Sequence, residues 1–367
     1  MRRLFRLIAL SVALLLAAPT VPLHAQDLIH AHAYYAVPIY ARADPSSAAV
    51  GVLLPQTEVV VEARSPDARL LLVRATDGVR GWAEQGRLAL ADAPDVYTLP
   101  VSFEEMFIPP ATPAAYRTID LFAYPVVPAN LGRAREIYQR GQSLGRDPHA
   151  VSKVGDCISD NEHFLSPFAL GNYNLGRYTY LQDVVSHFRA SLGFTSLAAY
   201  NGLVTDAVLD PVFANPLACQ PGESPLRCEY RVHNPSVAVI MFGAQDMLFT
   251  PPDAFERNLR QIVHESIQAG VVPILSTFPG NLAHWDTAMQ YNQIVVRVAL
   301  DYNVPLMNFW RALYDLPNRG LNTDGRHLSL PLTTSGDLSD TNLQRGYPLR
   351  NLVTLQALDA VWRGALR

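Results

Sequence analysis

The sequence predicts two units: a small all-β barrel, and after it an α/β domain built as a three-layer α/β/α sandwich on a parallel sheet. Three observations carry this reading. Short β-branched and apolar runs, each closed by turn residues, fill residues 30–92. A proline-dense stretch without apolar period occupies 93–117. From 118 to 367 apolar runs alternate with helical periods, the pattern of parallel strands joined by crossover helices.

Taken from the start, Arg2, Arg3 and Arg6 precede an apolar run from Leu7 to Ala18, and the small residue Ala25 closes the segment. That order of charge, apolar run and small residue predicts a secretory signal over 1–25, with the mature chain starting near Gln26. An uncleaved anchor is the competing reading, for which the apolar run is short. The protein is expected to be secreted or held at the cell envelope. In the barrel, the runs Ala36 to Tyr40, Val50 to Leu54, Val59 to Ala63, Leu70 to Val73 and Gly81 to Ala83 are separated by Asp44-Pro45, Pro55, Ser65-Pro66-Asp67 and Asp77-Gly78.

In the second unit, strands are predicted at Val151 to Gly155, Ser196 to Tyr200, Val237 to Gly243, Val271 to Thr277 and Val304 to Phe309. Helices are predicted at Leu175 to Ser191, Pro252 to Ala269, Trp285 to Tyr302 and Leu352 to Ala365. Ligands of such sheets sit at the carboxyl ends of the strands. The net charge of −4 comes without a basic cluster, which sets nucleic acid aside as a partner. No coiled-coil heptad or repeat argues for an oligomer, so a monomer is the default.

Of the three cysteines, Cys219 and Cys228 bracket a short polar loop and are expected to pair in an oxidising compartment. Cys157 is then the odd thiol. It follows Lys153-Val154-Gly155-Asp156 at the end of the first strand, where a helix start and a nearby imidazole would favour the thiolate. Gly202 follows the second strand and would let a backbone N–H approach a ligand. Gly243-Ala244-Gln245-Asp246 follows the third strand with a carboxamide donor, and Asp324-Gly325-Arg326-His327 sets an acid three residues before a histidine it can orient.

These four segments, in this order, resemble the blocks of the SGNH/GDSL hydrolases, whose domain is flavodoxin-like. Cys157 stands in the place of the family's serine, Gly202 in that of its second-block glycine, Gln245 in that of its asparagine, and Asp324 with His327 in its Asp-x-x-His block. The resemblance implies a carboxylic ester hydrolase without cofactor or metal. Cys157 would be the nucleophile, His327 the base and acid, and Asp324 the group that holds the ring. The N–H groups of Cys157 and Gly202 and the Gln245 side chain would form the oxyanion hole. The substrate would be an acyl ester of a surface glycan or lipid. Residues 30–92 resemble a bacterial SH3-like domain, which implies a cell-surface polymer as a further partner.

Other readings stand beside these. Cys157 could be a small buried hydrophobe or a redox-sensing thiol, and His327 a surface-loop histidine. Sulfur for oxygen at 157 and an added methylene at 245 fall on the chemistry itself, so the rival is a retired domain that binds a surface polymer. Asp156 and Asp246 read as loop anchors, and Asn172 and Tyr173 as candidate pocket residues.

Overall fold

The computed structural model describes residues 29–91, 95–111 and 118–367. The segment read as an export signal lies outside them. The first unit is an antiparallel sheet of seven strands: β1 (Ile29–Ala33), β2 (Val37–Tyr40), β3 (Ala49–Leu53), β4 (Glu58–Arg64), β5 (Leu70–Ala75), β6 (Arg80–Glu84) and β7 (Leu88–Leu90). They pair in the order β3-β2-β6-β5-β4-β1-β7. In β4 the period of two is explicit, with Val59, Val61 and Ala63 buried and their neighbours turned outward. Strand β5 is apolar on both faces because both are covered. Leu71 and Val73 join the main cluster with Ile39 and Val61, while Leu70 and Leu72 pack with Trp82.

The second unit comprises α1 (Ala134–Ser143), β8 (Asp147–Gly155), α2 (Ser166–Leu170), α3 (Gln182–Leu192), α4 (Pro225–Val232), β9 (Pro235–Met241), α5 (Asp246–Phe249), α6 (Pro252–Gln268), β10 (Val272–Ser276), α7 (Trp285–Tyr302), β11 (Leu306–Met307), α8 (Phe309–Leu313) and α9 (Gly346–Val361). Its sheet is parallel, in the order β11-β10-β9-β8. Helices α6 and α7 pack on each other and on β10, while α3 packs on β8 and against α9. The carboxyl ends of β8, β9 and β10 therefore open onto one edge.

Two predicted strands are altered by side chains that compete for the backbone. The segment 196–200 makes a single bridge, Ala199 to Gly155. The N–H of Leu197 is taken by the Glu229 carboxylate at 2.7 Å and that of Ala198 by the Ser196 hydroxyl at 3.0 Å, so no ladder can propagate. The last strand stops at Met307 because Asn308 caps α8, its Oδ1 accepting the Arg311 N–H at 3.3 Å. Helix α9 begins at Gly346, ahead of the predicted Leu352. It is buried nearly all round and so shows no amphipathic period, and Pro348 in its first turn is tolerated there.

Residues 101–108, inside the stretch read as a connection, are clamped from both sides. The Glu104 carbonyl accepts the Trp82 indole N–H at 2.8 Å, the Met106 N–H donates to Ala41 at 2.7 Å, and the Ile108 N–H donates to the Tyr302 hydroxyl at 3.3 Å. Glu105 pairs with Arg133 at the start of α1, at 2.9 Å to one guanidinium nitrogen, and the Arg133 side chain is only 5% exposed. Cutting this pair leaves a carboxylate only 11% exposed without its hydrogen-bonded guanidinium. Arg133→Met is expected to cost about 3 kcal/mol in a urea melt, while Arg135→Met, at an exposed site, stays within about 0.5 kcal/mol.

Candidate active site

Strand β8 delivers its last residue, Gly155, into a space no other residue could occupy. A Cβ there would lie 2.3 Å from the Met241 carbonyl and 2.5 Å from the Ser159 hydroxyl. The chain then turns through Asp156 and Cys157 rather than entering a helix, and α2 starts only at Ser166. Cys157 is half-buried at the mouth of the sheet. Its Sγ is 3.7 Å from His327 Nε2, and His327 Nδ1 is 2.6 Å from Asp324 Oδ2.

Proton positions follow from the charges. Slight burial would raise the Asp324 carboxyl, but the backbone N–H groups of Arg326 and His327, both at 3.0 Å, and the His327 ring outweigh it and hold the group down at about 2. An ionised Asp324 can only accept, so Nδ1 carries the proton and the Nε2 lone pair faces Cys157. The same arrangement leaves the thiol protonated at rest. Burial pushes it up to about 11, the Asp156 carboxyl adds to the rise, and Arg326 opposes it. The expected lean towards thiolate is thus reversed: no helix begins at Cys157 to supply a dipole, and the buried acid beside it repels negative charge.

Asp156 and Asp246 both lie buried at this edge. Asp246 is a loop anchor, accepting the Thr205 N–H at 2.8 Å, the Thr205 hydroxyl at 2.6 Å and the Gly243 N–H at 3.2 Å. Asp156 accepts the Ile158 N–H at 3.0 Å through one oxygen, while its other is buried without a partner among the described residues. Burial lifts its carboxyl to about 6 against the pull of Arg350. The fully buried Arg350 of α9 donates to the Ile158 carbonyl and, at 3.0 Å, to the Ser159 hydroxyl, with its guanidinium 3.6 Å from the Phe164 ring centre.

A cleft lined by Cys157, Ala244, Gln245, Asn281, Arg326 and His327 holds this constellation. Its free room, about 10 Å³, is that of a single water. Gln245 stands at the start of α5, just past β9, and its carboxamide makes no bond among the described residues. Gly202 lies on the turn after the Ala199 bridge, at φ +84°, a conformation that favours glycine, but does not line the cleft. Asn172 and Tyr173 do not line it either, and Tyr173 stacks on Phe168. Cys219 and Cys228 are disulfide-bonded, which leaves Cys157 free. Two lining residues were left unassigned by the sequence. Arg326 was visible only as a spacer in the Asp324 to His327 block, and Asn281 only as part of Pro279-Gly280-Asn281 after a strand.

Residues 155–330 match the family described as GDSL-like Lipase/Acylhydrolase. The solved structures similar to this chain include a lipase/acylhydrolase from Enterococcus faecalis, at 19% identity over 59% of this chain and 96% of that one, TM-score 0.38. Others are the psychrotrophic esterase EstA from Pseudoalteromonas sp., at 15% identity over 59% and 100%, TM-score 0.39, and a catalytic mutant of an acetylxylan esterase from Geobacillus stearothermophilus, at 18% over 57% and 94%, TM-score 0.37. No curated protein matches the chain. The chain carries a GDSL-like lipase/acylhydrolase family domain over 155–330, the mark of a carboxylic ester hydrolase.

The thiol's electrostatics can be checked directly. Iodoacetamide alkylation of Cys157 is expected to rise with pH towards a midpoint of about 11, where burial and Asp156 place it. Asp156→Asn removes the repelling charge and is expected to move that midpoint down. Because the native Asp156 pKa is raised, the proton it holds is lost as pH climbs through about 6, so the same variant is expected to gain more melting temperature at pH 8 than at pH 4.

Proposed function

We propose that this domain hydrolyses an acyl ester through a Cys157, His327, Asp324 triad, on a surface glycan or lipid reached after export. The observation that carries the reading is the oriented relay, in which Asp324 fixes the Nδ1 proton and Nε2 faces the thiol at 3.7 Å. His327 would take the proton of Cys157 as sulfur attacks the carbonyl carbon, and return it to the leaving alcohol. With the thiol neutral at rest, this is general-base activation of the kind serine needs, not attack by a preformed thiolate. The Cys157 N–H and the Gln245 carboxamide, both at the cleft, would receive the oxyanion, with the Gly202 N–H joining them once its turn moves onto the cleft. Water then hydrolyses the thioester.

The narrow cleft disfavours a long acyl chain, so the smallest acyl groups are the expected substrates. The N-terminal sheet, in this reading an SH3-like domain, presents Tyr34 and Tyr35, 51% and 70% exposed, as a surface for a cell-envelope polymer. A second reading, a retired cleft that only binds such a polymer, draws on the raised thiol.

Hydrolysis of nitrophenyl acetate and butyrate, acetylated oligosaccharides and a monoacylglycerol by the mature chain separates these readings. Acetate turnover is expected, falling on the order of 10⁴-fold in Cys157→Ala and His327→Ala, with Cys157→Ser retaining part of it. Absence of turnover in both the native chain and Cys157→Ser would establish the retired cleft.

A further inference from the structure

Asn281 lines the cleft and, among the described residues, carries a side-chain donor that nothing uses. It lies past the carboxyl end of β10, on a segment tied at both ends. The Asn292 carboxamide clasps Phe278 through both backbone groups, at 2.8 Å and 3.1 Å, and the Leu282 N–H donates to the carbonyl of Gly325, between Asp324 and His327, at 3.0 Å. The loop bearing Asn281 is therefore bonded directly to the loop bearing the histidine.

The Asn281 side chain is just as constrained. Its Oδ1 accepts the Ala283 N–H at 3.0 Å, and since a backbone N–H can be met only by an acceptor, the amide orientation is fixed. The residue is only 8% exposed, yet among the described residues its Nδ2 has no partner and is not sealed from the surface. The residue lines the cleft shared with Cys157, His327 and Gln245. A donor held rigid, nearly desolvated and unpaired is what an oxyanion site requires. Gln245, by contrast, makes no bond that fixes its longer carboxamide.

We propose that Asn281 is a catalytic residue whose Nδ2–H donates to the substrate carbonyl oxygen as negative charge develops on it. This rests on the ester-hydrolase reading above. In the step concerned, the Sγ to carbonyl carbon bond forms, the thiol proton passes to Nε2, and the carbonyl π pair moves onto oxygen, where Asn281 and the oxyanion-hole donors receive it. Collapse of the adduct re-forms the C=O bond and expels the alcohol, which takes the proton back from His327.

The test compares the native chain with Asn281→Asp and Asn281→Ser, both of which keep an acceptor for the Ala283 N–H. Two readouts are taken: kcat and KM on nitrophenyl acetate, and the dissociation constant of a trifluoromethyl ketone that adds to Cys157, followed by ¹⁹F NMR. In both variants kcat is expected to fall about 10²- to 10³-fold, with KM within about threefold, and the ketone adduct to weaken by a similar factor. Melting temperatures near the native value separate this from misfolding. An unchanged kcat, or a loss confined to KM, overturns the proposal. A native chain that forms the adduct without turnover, and loses it in the variants, upholds the donor while sinking the ester-hydrolase reading. A native chain that forms no adduct overturns both.

Discussion

The reactive edge of this protein hangs on one buried cation. Arg350, on the last helix, is fully buried, reaches under the turn that carries Cys157, holds the Ile158 carbonyl and the Ser159 hydroxyl, and lies over the face of Phe164. Burial lowers even a guanidinium here, to about 10, with Tyr347 and Asp156 opposing the fall. A charge in such a place is tolerable only when acceptors meet it, as the Ile158 carbonyl and the Ser159 hydroxyl do here. The position of Cys157 is thus set by the C-terminal helix as much as by its own strand. That is a long-range constraint, since these residues meet only when α9 docks.

The same arrangement decides the chemistry available to the thiol. Asp156 feels the charge of Arg350 without a direct contact to it, and as the neighbour of Cys157 in sequence it also repels a thiolate. The thiol keeps its proton at rest, and in the proposed reaction it passes that proton to His327 during attack. Asp324, in contrast, is exposed enough to stay ionised and is held so by two backbone N–H groups. Three acids at one edge therefore serve three ends: one buried in the field of a cation, one buried as a turn anchor, one solvated as the partner of an imidazole. Their environments, not their residue type, separate them.

The N-terminal sheet is joined to this domain by more than a tether. Glu104 and Glu105, adjacent in sequence, face in different directions, the first paired with Arg80 of β6 and the second with Arg133 at α1. With Met106 and Ile108 packed alongside, the segment acts as a shared strip of core.

Much of this was legible from local pattern. The alternation of Val59, Val61 and Ala63, the amphipathic period of α6, and the four short blocks ending in Cys157, Gly202, Gln245 and His327 each depend on residues close in sequence, where periodicity and turn chemistry act. The 196–200 segment misled because its strand-like run gives no hint that Glu229 would intercept its N–H. The early start of α9 was hidden because a helix buried all round has no polar face. By itself the sequence determined the order of the elements, the open edge of the parallel sheet and the residues delivered to it. Tertiary structure alone decided that the thiol stays protonated, that Arg350 and Asp156 are both buried at this edge, and that Asn281 joins the cleft. Burial, charge pairing and an unpaired donor are properties of groups brought together across the fold, and no local stretch of chain encodes them.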